Sequence, residues 1–361
     1  MSEAQLKCLN NILLITDLYP VKDEATIPLA IENFALALKE QGINITVIRP
    51  NFLFNTIIRG HKIYKQTIYE RNGITIYNRN FFTPFLFNNF IPQGNYDLII
   101  SHMPSGNIYA DLLNQKLHLP HIAVIHQSDF EVLSDIKYSI YFKKRLYRAL
   151  NNAELTAARN SKLKELLSAD FILPSFIEKE NIIEHKVSGE TLRIITLSRL
   201  IKRKNIDMVI EALKDIKRDF EYDIYGEGSE KKRLLRLIKK YNLEDKIKIH
   251  SRINHHLINQ KLDNADVFIL PSSNETFGLC YLEAMARGLV TIAKRGESMD
   301  NIINNRVNGF LVDDARDIAH ILEKLTPDKT DEIIKNTLEN IKNYEKEKVI
   351  LKYCEIMKKI I

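Results

Sequence analysis

Apolar runs of four to six residues recur along the chain and alternate with longer stretches of helical periodicity. One group of runs predicts parallel strands in the first half, and another predicts parallel strands in the second half. The predicted strands are Asn11 to Thr16, Ile43 to Ile48, Leu98 to Ser101, Ile122 to Ile125 and Phe171 to Leu173, then Leu192 to Leu197, Tyr222 to Tyr225, Ile247 to His250, Val267 to Leu270 and Val290 to Ala293. This alternation predicts an α/β protein with two doubly wound, Rossmann-like domains.

Residues 175–190 form a polar stretch between the two groups of predicted strands. They lack a strong apolar period, so we interpret them as a linker. A chain of 361 residues is too long for one core and long enough for two. We therefore predict one domain over residues 1–180, a second over residues 190–343, a cleft between them, and a C-terminal helix within residues 344–361.

Composition narrows the class of protein. Hydrophobic residues make up 45% of the chain and charged residues 27%, which is ordinary for a globular protein. Cys8, Cys280 and Cys354 lack metal-ligand spacing and indicate a reducing compartment. The short apolar segment Ile12 to Ile15 suits a first strand better than a signal peptide, and no run approaches the roughly 20 apolar residues of a membrane-spanning helix. We expect a cytoplasmic protein.

Two carboxylates flank a predicted strand, loop and helix in the second half. The run 267–271 predicts a buried strand, and Leu279 to Arg287 predicts a helix that ends at Gly288, so Glu275 precedes the helix and Glu283 lies inside it. A helix N-terminus after a strand aims backbone N–H groups at one point and favours an anion there. Carboxylates beside an anion need hydroxyl donors, so this pattern predicts a ligand that carries phosphate and sugar together.

Arg199 and Lys204 follow another predicted strand of the same domain. Ligands of open α/β sheets bind beyond the carboxyl ends of the strands, so both cations can meet two phosphates there. We expect both side chains in a solvated cleft, where their removal leaves the melting temperature unchanged. Lys202 and Arg203 are expected to be solvent-exposed supplements.

Four segments in order resemble one enzyme family. The stretch from Glu275 to Glu283 resembles the Glu-x7-Glu signature of retaining GT-B glycosyltransferases, the group called family 4 or glycosyl transferases group 1. Residues 198–205 are similar to its Gly-Arg-Leu-x-x-x-Lys-Gly segment, with Ser198 and Asn205 in place of the two glycines. Residues 226–228 resemble its Gly-x-Gly turn, and residues 309–312 its Asn-Gly-hydrophobic strand. The resemblance covers roughly residues 192–314 and implies the GT-B fold, with a terminal helix that crosses back to the first domain.

The resemblance also implies a reaction. It is the metal-independent transfer of a hexose-type sugar from a nucleoside diphosphate donor, with a UDP-sugar expected, to an acceptor hydroxyl with the anomeric configuration retained. No cofactor is implied. The acceptor is expected to be a sugar, a glycolipid or a lipid-linked glycan in bacterial cell-surface polysaccharide, glycolipid or glycan assembly.

Residue roles follow from the same resemblance. Glu283 is expected to bind the ribose, so its removal weakens nucleotide binding. Glu275 is expected to bind the transferred sugar and stabilise charge at its anomeric carbon, so Glu275→Gln lowers turnover and spares nucleotide affinity. His126 ends a strand and is expected to touch the sugar or its phosphate, and Asp129 is expected to orient either His126 or the acceptor. The groups expected on the diphosphate and near the base are Arg199, Lys204, the backbone N–H groups of Thr276, Phe277, Gly278 and Leu279, and the turn glycines Gly226 and Gly228.

The first half departs from the family pattern. Residues 17–28, after the first strand, contain no glycine where relatives carry a Gly-Gly loop, so close backbone approach to a ligand is not expected there. Thr26 as a cap and Pro28 in the first turn still predict a helix that runs to Gln41 and ends at Gly42.

Residues 137–150 combine aromatic side chains with five cations and no acid, and residues 81–90 are rich in Phe. Such a mixture is typical of helices that lie on anionic membranes. An ordinary amphipathic helix packed over a hydrophobic loop explains the same pattern, and both interpretations stay open. Nucleic-acid binding is not expected, because the net charge is only +6 and no recognition module is present.

Two other functions remain as alternatives. One is a nucleotide-sugar epimerase or a phosphorylase on the same double domain, although an epimerase usually relies on acidic residues across the cleft and a glycogen-type phosphorylase is much longer. The other is a non-catalytic module that binds sugar nucleotides or membranes. Glu275, Arg199 and Lys204 together argue against a module, whereas donor binding without turnover would favour it.

Overall fold

The computed structural model describes residues 9–20, 30–52, 67–81, 90–183 and 191–361. The chain divides into two compact units: unit 1 comprises Met1–Leu173 with Ile350–Ile361, and unit 2 comprises Pro174–Val349. Thr26 and Pro28, most of the Phe-rich loop and the second part of the expected linker lie outside the described residues.

Unit 1 contains an eight-stranded sheet in the order β3-β4-β2-β1-β5-β6-β7-β8. Every neighbouring pair is parallel except β3 with β4. The strands are β1 (Asn11–Ile15), β2 (Asn44–Phe52), β3 (Thr67–Arg71), β4 (Ile74–Phe81), β5 (Leu98–His102), β6 (His121–Ile125), β7 (Leu155–Ala158) and β8 (Phe171–Ile172). The carboxyl ends of the parallel strands share one edge, where ligands of such sheets bind.

Unit 2 contains a six-stranded, all-parallel sheet in the order β11-β10-β9-β12-β13-β14. Its strands are β9 (Leu192–Leu197), β10 (Phe220–Tyr225), β11 (Ile247–His250), β12 (Val267–Leu270), β13 (Val290–Lys294) and β14 (Phe310–Val312). The order changes direction between β9 and β12, so the loops that leave these two strands diverge around a crevice at the carboxyl edge.

Helices cover the sheets. In the described part of unit 1 they are α1 (Ala30–Glu40), α2 (Met103–Leu117), α3 (Gln127–Ser134), α4 (Ile140–Asn152) and α5 (Ser161–Leu167). Those that follow are α6 (Ile206–Leu213), α7 (Lys231–Lys240), α8 (Ile258–Leu262), α9 (Leu279–Ala286), α10 (Ala315–Lys324), α11 (Pro327–Ile341) and α12 (Lys346–Lys358), with 3-10 turns at Lys179–Asn181, Lys202–Lys204, His255–Leu257 and Lys342–Tyr344.

The core of unit 2 explains why its strands are continuous apolar runs. Val267 and Ile269 pack in a cluster on one face of the sheet, while Phe268 and Leu270 pack in a second cluster on the other face. A parallel sheet covered on both faces needs apolar side chains at every position, whereas a half-solvated strand alternates. All four residues of β12 are fully buried.

The structure confirms the two parallel-sheet α/β units but adds strands that the sequence pattern missed. β3 and β4 form an antiparallel pair at the edge of the sheet, and their alternating polar residues produce no apolar run. β7 has only four residues, Leu-Thr-Ala-Ala, with little β preference. β2 also extends through Pro50 to Phe52, because it pairs with β4 along its whole second half.

Candidate functional site

Gly278 sets the entry into helix α9 at the carboxyl edge of the unit 2 sheet. Its φ is +84°, in the left-handed region, and it is the residue before the helix. A Cβ at this position would lie 2.5 Å from the Tyr281 ring and 3.2 Å from Glu275 Cγ. A side chain there would therefore be strained and would collide with the helix and with Glu275. Thr276, Phe277 and Leu279, predicted to bind phosphate through their N–H groups, lie at this helix start.

Two hydrogen-bond donors and one more distant cation, from two loops, surround one oxygen of Glu275. Lys204 Nζ donates to Glu275 Oε2. Ser272 Oγ donates to the same oxygen at 3.1 Å, and Arg203 NH1 lies 3.7 Å from it. The structure thus brings together two predicted site residues, Lys204 and Glu275, from the loops that follow β9 and β12.

Electrostatics keep Glu275 ionised although it is largely buried. Its side chain is 13% exposed and that of Lys204 is 9% exposed. Burial alone raises the pKa of the Glu275 carboxyl, but the charges and hydrogen bonds of Lys204, Arg203 and Ser272 outweigh burial and hold this pKa below its ordinary value. Lys204 and Glu275 are therefore a largely buried ion pair in which each charge balances the other.

Two sequence-based expectations about this loop are wrong. Lys204 does not lie in a solvated position, because its side chain is buried against Glu275. Arg203 is not a mere exposed supplement, since its NH1 donates to the Asn274 carbonyl at 3.0 Å and lies near Glu275. Lys202 is exposed, as expected. Charged residues in one short loop can point in different directions, and their spacing in the sequence does not show which of them is buried.

Asn205 explains one departure from the family pattern. Its φ is +49°, a conformation that glycine adopts freely and that asparagine tolerates better than most residues. Its side-chain amide also donates to the Pro271 carbonyl at 2.8 Å and to Ser273 Oγ at 3.0 Å. The replacement of glycine by asparagine therefore preserves the turn and ties the Lys204 loop to the Glu275 loop. Lys294, which the sequence patterns did not single out, donates to the same Ser273 oxygen at 2.9 Å.

Arg199 follows β9 and is exposed. The two predicted turn glycines lie directly against its loop: a Cβ on Gly226 would overlap the Ser198 carbonyl, and one on Gly228 would overlap the Leu200 backbone. Leu200 N also donates to the Glu227 carbonyl at 2.8 Å. Close backbone packing against the Arg199 loop is thus a sufficient reason for both glycines, whether or not a base lies near them.

Glu283 projects from helix α9 with 13% of its side chain exposed. Its oxygen Oε1 lies 3.2 Å from His255 Nε2, on the 3-10 turn after β11. The hydrogen bond to Glu283 raises the pKa of His255 above its ordinary value. Sequence reasoning missed His255, because 28 residues separate the pair and neither the spacing nor the family pattern marks it.

His126 lies in unit 1, whereas the other predicted site residues lie in unit 2. Its backbone N–H donates to Asp129 Oδ2 at 2.8 Å, in a capping box at the start of helix α3. Its ring Nε2 lies 3.1 Å from Nδ1 of His102, the last residue of β5. Asp129 therefore accepts a hydrogen bond from the His126 backbone, and it is His102 that contacts Nε2 of the His126 ring.

Burial dominates the titration of this unit 1 cluster. It lowers the pKa of His126 to about 3 and that of His102 well below the ordinary value. It raises the pKa of Asp129 to about 7, although Asn107 donates a hydrogen bond to that carboxyl at 2.8 Å. Both imidazoles are therefore neutral near pH 7. His102 was missed because the apolar run that predicts β5 ends one residue earlier.

Two protein-family models match the chain in sequence. The model described as glycosyl transferases group 1 matches residues 177–348, and the model described as glycosyltransferase family 4 matches residues 30–197. Together they extend the resemblance from residues 192–314 into the first half of the chain.

Curated relatives agree with these families. The chain is 27% identical over 265 residues to an uncharacterized glycosyltransferase of Methanocaldococcus jannaschii, covering 72% of this chain and 73% of that protein. It is 31% identical over 179 residues to the putative colanic acid biosynthesis glycosyltransferase WcaL of Escherichia coli K12, covering 46% of this chain and 44% of WcaL. The second match spans less than half of either protein.

Solved structures share the fold at low identity. Sucrose-phosphate synthase of Thermosynechococcus elongatus matches with a TM-score of 0.77 at 16% identity, covering 97% of this chain and 98% of that one. Anabaena HepE, solved with UDP and glucose, matches with a TM-score of 0.72 at 16% identity, covering 97% of this chain and all of that one. The architecture of this protein is therefore the GT-B fold.

Proposed function

Because this chain belongs to the glycosyltransferases of group 1 and family 4, we propose that it transfers a sugar from a nucleoside diphosphate donor to an acceptor hydroxyl. We include in the proposal that the anomeric configuration is retained and that no metal is needed. The observation that carries the proposal is the meeting of Lys204 and Glu275 at the carboxyl edge of the unit 2 sheet, beside the start of helix α9. A cation, a carboxylate and a helix N-terminus are the groups that a sugar bound to a diphosphate requires.

The roles in the proposed reaction follow from charge. Arg199 and Lys204 stabilise the charge that develops on the departing diphosphate, together with the helix N-terminus. Glu283 accepts hydrogen bonds from the ribose hydroxyls. Glu275 accepts hydrogen bonds from the transferred sugar and stabilises positive charge at its anomeric carbon. His126 is neutral near pH 7, so we assign to it hydrogen bonding to a sugar hydroxyl rather than a contact through charge.

The donor we propose is a UDP-sugar. The structural relative HepE, with the same fold, was solved with UDP and glucose. A thermal-shift panel of UDP-, GDP-, ADP- and CMP-sugars tests the proposal, because a ligand at a hundredfold its dissociation constant stabilises the folded protein by about 2.7 kcal/mol. We expect a selective shift with UDP-sugars. A shift with another nucleotide would change the donor, and no shift with any would contradict donor binding.

Metal independence is tested separately. In the proposed mechanism, Arg199, Lys204 and the helix N-terminus supply the positive charge that a bound cation supplies elsewhere. Transfer measured after addition and removal of a chelator is expected to proceed at an unchanged rate. Loss of transfer that returns with added magnesium or manganese would contradict this part of the proposal.

The acceptor we propose is a sugar, a glycolipid or a lipid-linked glycan in cell-surface polysaccharide assembly. The relative WcaL is described as a putative colanic acid biosynthesis enzyme, which supports this class. Incubation with the identified donor and a panel of free sugars and lipid-linked sugars, with product analysis by mass spectrometry, tests it. Hydrolysis of the donor without transfer to any member of the panel would count against this acceptor class.

Helix α4 supports contact with an anionic membrane. Ile140 and Tyr147 are 72% and 63% exposed, and they share one face with the exposed Lys144 at spacings of four and three residues. Ile136, before the helix, is 94% exposed. The opposite face is buried in the core of unit 1 through residues such as Leu146. Exposed apolar residues beside cations suit a lipid surface better than water.

Vesicle sedimentation tests this attachment. We expect binding to anionic vesicles that weakens as salt rises, because surface attraction decays over about 8 Å at physiological ionic strength. Replacing Ile140 and Tyr147 with Ser is expected to abolish binding without unfolding, and the same change at the buried Leu146 serves as a control for misfolding. Equal binding to neutral and anionic vesicles would exclude the anionic preference. Within the described ranges, no helix is long and apolar enough to span a bilayer.

A further inference from the structure

Given the proposed donor site, on which this step rests, we infer that Lys204 changes partner when a donor binds. Its partner in the structure is Glu275, and its partner in the donor complex is the diphosphate. The exchange releases Glu275 to the hydroxyl groups of the sugar, so occupation of the phosphate position and occupation of the sugar position are coupled.

Two hydrogen-bond donors and one more distant cation converge on a single oxygen of Glu275. Lys204 Nζ donates to Oε2, Ser272 Oγ lies 3.1 Å from it, and Arg203 NH1 lies 3.7 Å from it. The side chains of Lys204 and Glu275 are both nearly buried. The charge of Lys204 is thus balanced by Glu275, and a diphosphate must compete with this carboxylate for it.

Lys204 and Arg203 differ in how easily they can move toward a ligand. Lysine carries a compact ammonium with three donors on a flexible stem. Arg203 NH1 also donates to the Asn274 carbonyl at 3.0 Å, which ties it to the Glu275 loop. We therefore assign the movement toward a phosphate to Lys204, while Arg203 and Ser272 stay beside Glu275.

A diphosphate and Glu275 are both negatively charged and repel each other. Additional hydrogen bonds to the Glu275 carboxylate offset this repulsion. Once Lys204 has turned away, the carboxylate keeps Ser272 and the more distant Arg203, and it has capacity for sugar hydroxyls. An ionised group that is nearly buried gains most from such donors. Linkage is reciprocal, so a sugar that engages Glu275 also favours phosphate binding by Lys204.

Inorganic pyrophosphate is the probe for this exchange, since it carries neither base nor sugar. Calorimetry compares the wild type with Glu275→Gln and with a matched control, Glu297→Gln. The carboxylate of Glu297 accepts a hydrogen bond at 2.9 Å from the backbone N–H of Asn274, the residue before Glu275. Glu275→Gln is expected to bind pyrophosphate about five- to tenfold more tightly, because Lys204 no longer has a competing carboxylate. Glu297→Gln is expected to change affinity less than about twofold.

The sequence alone predicts that Glu275→Gln spares nucleotide affinity, whereas the exchange predicts tighter binding of the diphosphate group. A second variant, Glu275→Asp, serves as a control for misfolding because it keeps a negative charge near Lys204. Its shorter side chain moves the carboxylate away from Lys204. Its affinity is expected between those of the wild type and Glu275→Gln. Equal gains in Glu275→Gln and Glu297→Gln would show a general charge effect and overturn the exchange, as would no gain in either Glu275 variant.

Failure of the exchange can be told apart from failure of the donor site. Lys204→Ala is expected to weaken pyrophosphate binding whether or not Glu275 competes. If Lys204→Ala weakens binding while the Glu275 variants gain nothing, only the exchange is wrong. If Lys204→Ala binds pyrophosphate as the wild type does, the proposed donor site itself is wrong.

Discussion

The candidate site of unit 2 and the polar cluster of unit 1 lie at equivalent edges of two parallel sheets, yet they differ in charge. Lys204 and Glu275 are paired ions, and burial of the pair is offset by their mutual contact. His102 and His126 are neutral, because burial lowers both pKa values and the two rings contact each other. The first edge suits a charged ligand, and the second suits hydroxyl groups.

The largest expected effect tests the ion pair of unit 2. Lys204→Ala is expected to lower turnover by about two to three orders of magnitude, the scale of losing one preorganised electrostatic donor. It also leaves Glu275 nearly buried without its cation, so the melting temperature is expected to fall. Lys202→Ala, which removes an exposed neighbouring cation, is the control. A variant at Lys204 with near wild-type turnover under saturating substrates would contradict the assigned role.

A steric change at Gly226 is expected to have the next largest effect. Gly226→Ala forces the Ser198 carbonyl to move and is expected to destabilise the protein by about 1–3 kcal/mol. Nucleotide binding should weaken too, since the Arg199 loop shifts. Gly42→Ala in unit 1 meets open space but carries φ of +83°, so we expect it to lower stability and spare nucleotide binding. Calorimetry on both variants measures the difference; equal nucleotide affinities would argue against the packing role.

The neutral cluster of unit 1 predicts a dependence of stability on pH. The folded pKa of His126 lies near 3, below its unfolded value, so its contribution is present above about pH 6.5 and is lost as pH falls toward 3. The stability advantage of the wild type over His126→Gln is therefore expected to shrink between pH 7 and pH 4. Asp129, with a pKa near 7, titrates in both proteins and cancels in this difference. Urea unfolding at several pH values measures it, and an advantage that grows on acidification would be inconsistent with a buried neutral ring.

The smallest effect concerns the pair formed by the exposed His255 and the largely buried Glu283. The folded pKa of His255 is raised, so the pair contributes stability below about pH 6.5 that is lost as pH rises through the folded pKa. His255→Gln is expected to cost about 0.2–1 kcal/mol at pH 5.5 and less at pH 8.5, because the histidine is largely exposed. His256→Gln, one residue further on, is the control. Identical melting curves for both variants at pH 5.5 would show that this pair does not stabilise the folded protein.

The sequence predicts the unit 2 site better than the unit 1 cluster for a physical reason. Glu275, Glu283 and Lys204 follow strands that are continuous apolar runs, so their positions at the sheet edge can be read from spacing. The contact between His102 and His126 joins two residues that are 24 positions apart in the chain, so it leaves no local pattern. The missed strands β3, β4 and β7 are likewise set by pairing and not by apolar runs.

Side-chain direction is the part of the unit 2 site that spacing does not determine. Lys202, Arg203 and Lys204 are consecutive cations, yet one is exposed, one spans two loops and one is buried against Glu275. The 3-10 turn that they form, followed by the left-handed Asn205, sets these directions. His255 reaches Glu283 by tertiary contact alone. Such pairs appear only once the sheet order is known.

The most direct test of the account measures binding of a free nucleoside diphosphate, chosen as the one that most raises the melting temperature, to three proteins by calorimetry. Glu283→Ala in unit 2 is expected to weaken binding about ten- to a hundredfold, the loss of hydrogen bonds to a charged acceptor. His126→Gln in unit 1 is expected to bind as the wild type does, because the nucleotide itself is assigned to unit 2. Unchanged affinity in Glu283→Ala together with weakened binding in His126→Gln would contradict the assignment of donor binding to unit 2.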